Sequence, residues 1–161
     1  MADNYGKKFE KVFSDQLKEN GYCFDRLKDD MSGWKGVSNV CDFIVFHNET
    51  LFYIECKAVH GNTFNYSLLR DNQYKGLLEK SKFKHVCAGV MIWFVDNDLT
   101  VYLPIRFIEN EKLNEVKSFN STKEVPRVCT VIEGEKKRVF FKYNLTKAFI
   151  DIGHRSFAYG Y

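Results

Sequence analysis

Three charged side chains, Asp42, Glu55 and Lys57, stand inside an otherwise apolar stretch, CDFIVFHNETLFYIECKAV, that runs from Cys41 to Val59. Taking an unpartnered charge out of water costs several kcal/mol, so each must be paired, solvated or metal-bound. Side chains two apart on a strand share a face. Glu55 and Lys57 therefore point the same way, while Ile54, Cys56 and Ala58 point the other way. With a tight turn at Asn48-Glu49-Thr50, Asp42 on the preceding strand falls near the level of Glu55. Two carboxylates so placed are the usual cradle for a hard cation such as Mg²⁺, whose octahedral oxygen shell is completed by water. An adjacent Lys can steady an anionic transition state or orient an attacking water. Together these parts suit hydrolysis of a phosphodiester. The same loose spacing also describes a cross-strand ion pair on a wet sheet face, and the hairpin by itself favours that plainer reading.

Several elements must position these residues. Residues 4–20 carry Phe9, Val12, Phe13 and Leu17 at helical spacing, with Gly21 as the stop. Glu10 lies on the inner side of that helix beside Phe9 and Phe13; its ordinary role would be a surface pair with Lys7 or Ser14. Residues 22–27 alternate as a short strand, and 28–39 read as a polar loop with Gly33 and Gly36. Strands follow at 40–47 and 51–59, then a loop at 60–68. Asp71 or Ser67 would cap a helix whose inner side is Tyr74, Leu77, Leu78 and Phe83. Gln73 sits one turn into it, where a plain polar helix-start residue is the ordinary expectation. Residues 85–95 are apolar almost throughout, as in a central strand covered on both faces, and 99–105 supply an antiparallel partner. A short amphipathic helix is expected from Arg106, strand pairing between 127–134 and 137–145, and a helical turn at 146–153. The order predicts one α/β domain over 1–161, a mixed β-sheet flanked by α-helices, α-β-β-β-α-β-β and then an extra helix and tail.

Composition sets the outer bounds. The chain has 161 residues, 45% hydrophobic and 28% charged, enough for a real core. It lacks an apolar run long enough to span a membrane and an N-terminal signal-like segment, so a cytoplasmic location is expected. Five cysteines without CxxC spacing favour small buried thiols over disulfides or a zinc site. The four N-x-S/T matches matter only in a secreted protein. Net charge is +3, but residues 117–161 hold nine Lys/Arg against four Asp/Glu, about +5, and the rest about −2. That basic tail fits a solvated face or a surface for a polyanion.

With Glu10 in GKKFE, Asp42 in CDFIVF, Glu55-x-Lys57 in IECKAV and Gln73 on the following helix, the sequence resembles the PD-(D/E)XK nuclease superfamily. Within it the nearest likeness is to RecU-type Holliday junction resolvases, over about residues 5–105 and extending to Lys117-Ser118. The superfamily motif is degenerate and no single piece is specific; the resemblance rests on the ordered set of five. The resemblance implies a restriction-endonuclease-like core and a structure-specific endodeoxyribonuclease that resolves four-way junctions in recombination and repair. Asp42 and Glu55 would bind Mg²⁺ (or Mn²⁺ in its place), with Gln73 completing or bordering the metal site. Lys57 would stabilise the transition state or position the water, and Glu10 would support the site. RecU enzymes usually carry a metal-site Thr two residues before the Asp, where this chain has Val40, with its carbonyl or Ser38 as the substitute. The family's stalk corresponds to 28–39, which is short and not notably basic; a compact, phage-type member fits both departures.

Symmetric resolution of a junction needs two active sites, hence a C2 homodimer. Candidate DNA-backbone contacts are Lys7, Lys8, Lys11, Arg70, Lys75, Lys136, Lys137 and Arg138. The competing readings are a duplex-cutting endonuclease of the same superfamily, a DNA-binding protein without catalysis, and a small interaction domain using aromatics such as those of RSFAYGY.

Overall fold

The computed structural model describes residues 4–27, 39–138 and 141–161. The first helix, α1, spans Tyr5–Glu19 and buries Phe9, Phe13, Gln16 and Leu17. The Asn4 side chain accepts the Lys7 N–H at its start, and Gly21, at φ +70°, supplies the left-handed residue just past its end. Strands β1 (Cys23–Arg26), β2 (Phe43–His47) and β3 (Thr50–Val59) run antiparallel in succession. Asn48 and Glu49 alone join β2 to β3, both at positive φ, the turn whose twist matches that of the flanking strands. Thr50 belongs to β3, so the turn is one residue tighter than the sequence suggests.

A short strand β4 (Thr63–Asn65) and a single 3₁₀ turn (Tyr66–Leu68) lead into α2 (Asp71–Ser81). Then come β5 (Val86–Phe94), β6 (Leu99–Pro104), α3 (Ile105–Leu113), β7 (Ser118–Asn120), β8 (Thr130–Val131), β9 (Gly134–Lys136), β10 (Phe141–Tyr143) and α4 (Leu145–Ala158). The main sheet has the order β1-β2-β3-β5-β6-β8, and β3–β5 is its parallel pair, linked by the α2 crossover. Helices α1 and α4 cover one face, over Phe43, Phe52, Cys56 and Met91, with Phe149 of α4 in the same cluster. Helices α2 and α3 cover the other, over Val90, Ile92 and Leu103, with Ile105 and Ile108 of α3 in the same cluster. The expected mixed sheet between helices is present. No helix among the described residues is long and apolar enough to cross a membrane.

Four expectations change. Residues 60–68 are not only loop: Thr63–Asn65 pairs with Ser118–Asn120, burying Phe64 against Phe119, a contact that depends on chain 55 residues away. Phe83 is not on the inner side of α2, because that helix ends at Ser81 and leaves Phe83 58% exposed. The strands expected to pair across 127–145 divide instead: β8 joins the main sheet beside β6, and β9 pairs with β10. The helical turn at 146–153 is a full 14-residue helix whose Leu145, Ala148, Phe149 and Ile152 pack on the sheet. Cys41, Cys56, Cys87 and Cys129 are buried free thiols, whereas Cys23, on the edge strand, is exposed. The stalk-like segment and Ser38 fall outside the described residues.

Candidate active site

The hairpin register builds the centre. Phe43 pairs with Ile54, so one further step of the ladder sets Asp42 opposite Glu55. Two main-chain contacts hold that step: the Asp42 N–H donates to the Ile54 carbonyl at 3.1 Å, and the Cys56 N–H donates to Asp42 Oδ2 at 2.8 Å. On the far side, the Leu27 N–H donates to the Asp42 carbonyl at 2.7 Å. Asp42 is thus clamped from both neighbouring strands.

Helix α2 closes the site from above the sheet. At its third position, Gln73 accepts the Arg70 N–H through Oε1 at 3.1 Å, which caps the helix and fixes the amide orientation. Its Nε2 then donates to Glu55 Oε1 at 2.7 Å. The Lys57 ammonium lies 2.7 Å from the same oxygen. In this geometry Gln73 orients Glu55, and its own oxygen accepts both the helix-cap N–H and, at 3.5 Å, the Lys57 ammonium.

Helix α2 is also locked to the lead-in of β2. Asn72 Nδ2 donates to the Asn39 carbonyl at 3.3 Å, and one turn on Val40 lies against Gly76. A Cβ on Gly76 would sit 1.7 Å from Val40 Cγ1, so only glycine leaves room. Val40, which stands where the resembled family has a Thr, is a packing residue here.

The electrostatics show charge held against its preference. Glu55 is 2% exposed, and among the described residues its Oε2 has no hydrogen-bond partner. Burial raises its pKa, opposed by the Lys57 ammonium and, more weakly, by the charge of Arg70. The Asp42 carboxyl is within hydrogen-bonding reach of Glu55 but can donate only when protonated. Burial and the facing Glu55 carboxylate push Asp42 up to about 7, against the pull of the Cys56 N–H. Two facing carboxylates, Glu55 buried and Asp42 half-buried, with a Glu55 oxygen that has no partner among the described residues, are a donor set that fits a hard cation. Among the described residues no three His, Cys, Asp or Glu side chains cluster as a complete cage. The Cys41 and Cys56 thiols beside the pair are pushed up by burial, Cys41 to about 12, and are no nucleophiles at neutral pH.

Glu10 lies on the α1 side, where Arg26 donates to its Oε2 at 3.1 Å, and its charge is felt at Asp42. Sequence reasoning missed Arg26, whose only signal is its position on the strand next to Asp42. Of the candidate backbone contacts, Arg70 alone acts electrostatically on the carboxylate pair. Lys7 is exposed on α1, Lys8 lies over the Tyr5 ring, and Lys11 bridges Asp15. Lys75 pairs with Asp71, Lys136 with Asp98 and Lys137 with Glu135, while Arg138 is exposed.

No protein-family model matches the chain, and no curated protein matches it. Among solved structures it is similar to Hjc of Archaeoglobus fulgidus, described as a Holliday junction resolvase from an archaeal hyperthermophile. The identity is 19%, the TM-score 0.47, and the match covers 63% of this chain and 78% of that one. A likeness so distant does not assign the chain to a family.

Proposed function

We propose that this chain is a divalent-metal-dependent endodeoxyribonuclease that cuts four-way DNA junctions as a C2 homodimer. The carrying observation is the facing pair of Asp42 and Glu55, with a Glu55 Oε2 that has no partner among the described residues and Lys57 on the same strand face. The ordered likeness of Glu10, Asp42, Glu55-x-Lys57 and Gln73 to the RecU-type pattern supports the substrate class.

Asp42 and Glu55 would hold Mg²⁺, which when bound polarises the phosphate and acidifies a water. Gln73 keeps Glu55 Oε1 turned toward Lys57, leaving Oε2 for the cation. The Lys57 ammonium, 22% exposed, faces the phosphate, neutralises charge developing on its oxygens and keeps the water in line for attack. Glu10, held by Arg26, adds negative potential that favours a cation at Asp42. The products would be a 5′-phosphate and a 3′-hydroxyl. A junction offers two equivalent strands, which is why two copies of the site are required.

Labelled four-way junction, duplex and single strand, each incubated with Mg²⁺ beside Asp42→Asn and Lys57→Ala, test this. Paired cuts in the junction, absent from both variants, are expected; cuts in duplex alone would make it a duplex nuclease. No cleavage with any divalent metal would remove the enzyme. Independently of cleavage, Ca²⁺ should raise the melting temperature of wild type and not of Asp42→Asn.

A further inference from the structure

A cleft of about 820 Å³ opens beside α2, between the 3₁₀ turn and the chain leaving α3, lined by Asn65, Tyr66, Ser67, Lys112, Glu115 and Lys117. The Tyr66 N–H donates to the Lys117 carbonyl at 2.9 Å, tying the two walls together. The Lys112 ammonium is set 3.8 Å from the centre of the Tyr74 ring, so its charge is held in place. Tyr74 adjoins Gln73, and Ser67 is three residues from Arg70, whose charge reaches Glu55. The cleft therefore flanks the helix start that closes the catalytic centre.

We infer that this cleft binds the sugar-phosphate backbone of a nucleic acid strand leaving that centre. Its volume is in the range of sites that enclose a ligand. Lys, Ser and Asn side chains are the groups that ordinarily contact phosphate oxygens. The cleft wall sets Lys112 and Lys117 against Glu115, with the charge of Glu111 acting at Tyr66, and Lys112, in the last turn of α3, offsets the negative end of that helix. Tyr66 is 4% exposed and offers no stacking platform, so the cleft grips backbone and is indifferent to base sequence. The ligand class rests on the nuclease reading; the cleft and its charge do not.

The test is binding of a fluorescein-labelled single-stranded oligodeoxynucleotide, followed by anisotropy across a salt series without divalent metal. Wild type is compared with the double variant Lys112→Gln/Lys117→Gln and with Lys147→Gln, an exposed lysine paired to Glu133 and Asp151. The double variant should flatten the log–log salt slope by about 1.4, two single-strand phosphate contacts, while Lys147→Gln leaves it unchanged. Changing the base sequence should not alter the difference. An unchanged slope, an equal change in Lys147→Gln, no binding by wild type, or equal competition by poly-glutamate would each overturn the inference. A flattened slope in a protein that cleaves no DNA leaves the cleft standing and removes the nuclease. Cleavage with an unchanged slope does the reverse.

Discussion

The β2–β3 hairpin and the C-terminal extension both carry dense charge, and they handle it in opposite ways. In the extension Lys136, Lys137 and Lys147 each close on a carboxylate in contact with water. Such exposed pairs contribute about 0–1 kcal/mol and are screened by salt. In the hairpin, half-buried Asp42 faces buried Glu55, and one Glu55 oxygen has no partner among the described residues. In the sequence the basic tail fits either a solvated face or a surface for a polyanion, and exposure decides what a charge can do. The hairpin holds a buried carboxylate oxygen with no partner among the described residues, a demand that a cation can relieve.

The comparison can be broken, and the largest lever is Asp42→Asn. Cleavage should fall on the order of 10³-fold or more, while the metal-free protein becomes more stable. The sign follows from the raised pKa: the folded state binds the extra proton, so wild type loses stability as pH climbs from about 4 to about 7. The advantage of the Asn variant should therefore be absent below pH 4 and complete above pH 7. Each kcal/mol relieved should raise the melting temperature by about 2–4 °C. A variant that melts lower than wild type at pH 8 without metal would contradict the picture of charge under strain.

Next is Gly76→Ala, which drives a methyl into Val40 and must push the lead-in of Asp42 away from α2. The expected cost is about 1–3 kcal/mol, with activity falling as well, and Val40→Ala should recover part of both in a double-mutant cycle. Gln73→Leu leaves the Arg70 N–H and Glu55 without their partner, at about 1–3 kcal/mol, and thermal melting measures it. Smallest is Lys136→Gln, which should change stability by less than about 0.5 kcal/mol. A loss there as large as that from Gln73→Leu would erase the contrast between the two regions.

Much of the site was legible because it follows from local periods. The two-residue strand period set Glu55 and Lys57 on one face, and helical spacing put Gln73 in the first turn of α2. Glu10, in the first helix, proved to be electrostatically linked to Asp42. Less legible were the parts that depend on distant chain. The pairing of Phe64 with Phe119 and the division of β8 from β9 come from partners that no local pattern names. Helix α4 was under-read even though Leu145, Ala148, Phe149 and Ile152 carry its period.

The chain by itself determined the residue types, their faces and their order along the elements, since backbone geometry enforces these within a few residues. Only the tertiary structure decided what each charge meets. It put Asp42 opposite Glu55 through a two-residue turn, shared the Gln73 oxygen between a helix cap and Lys57, packed Val40 on Gly76 and gave Lys136 to Asp98. Partner and solvent exposure are properties of the packed chain, and for a buried carboxylate they outweigh identity in setting its charge.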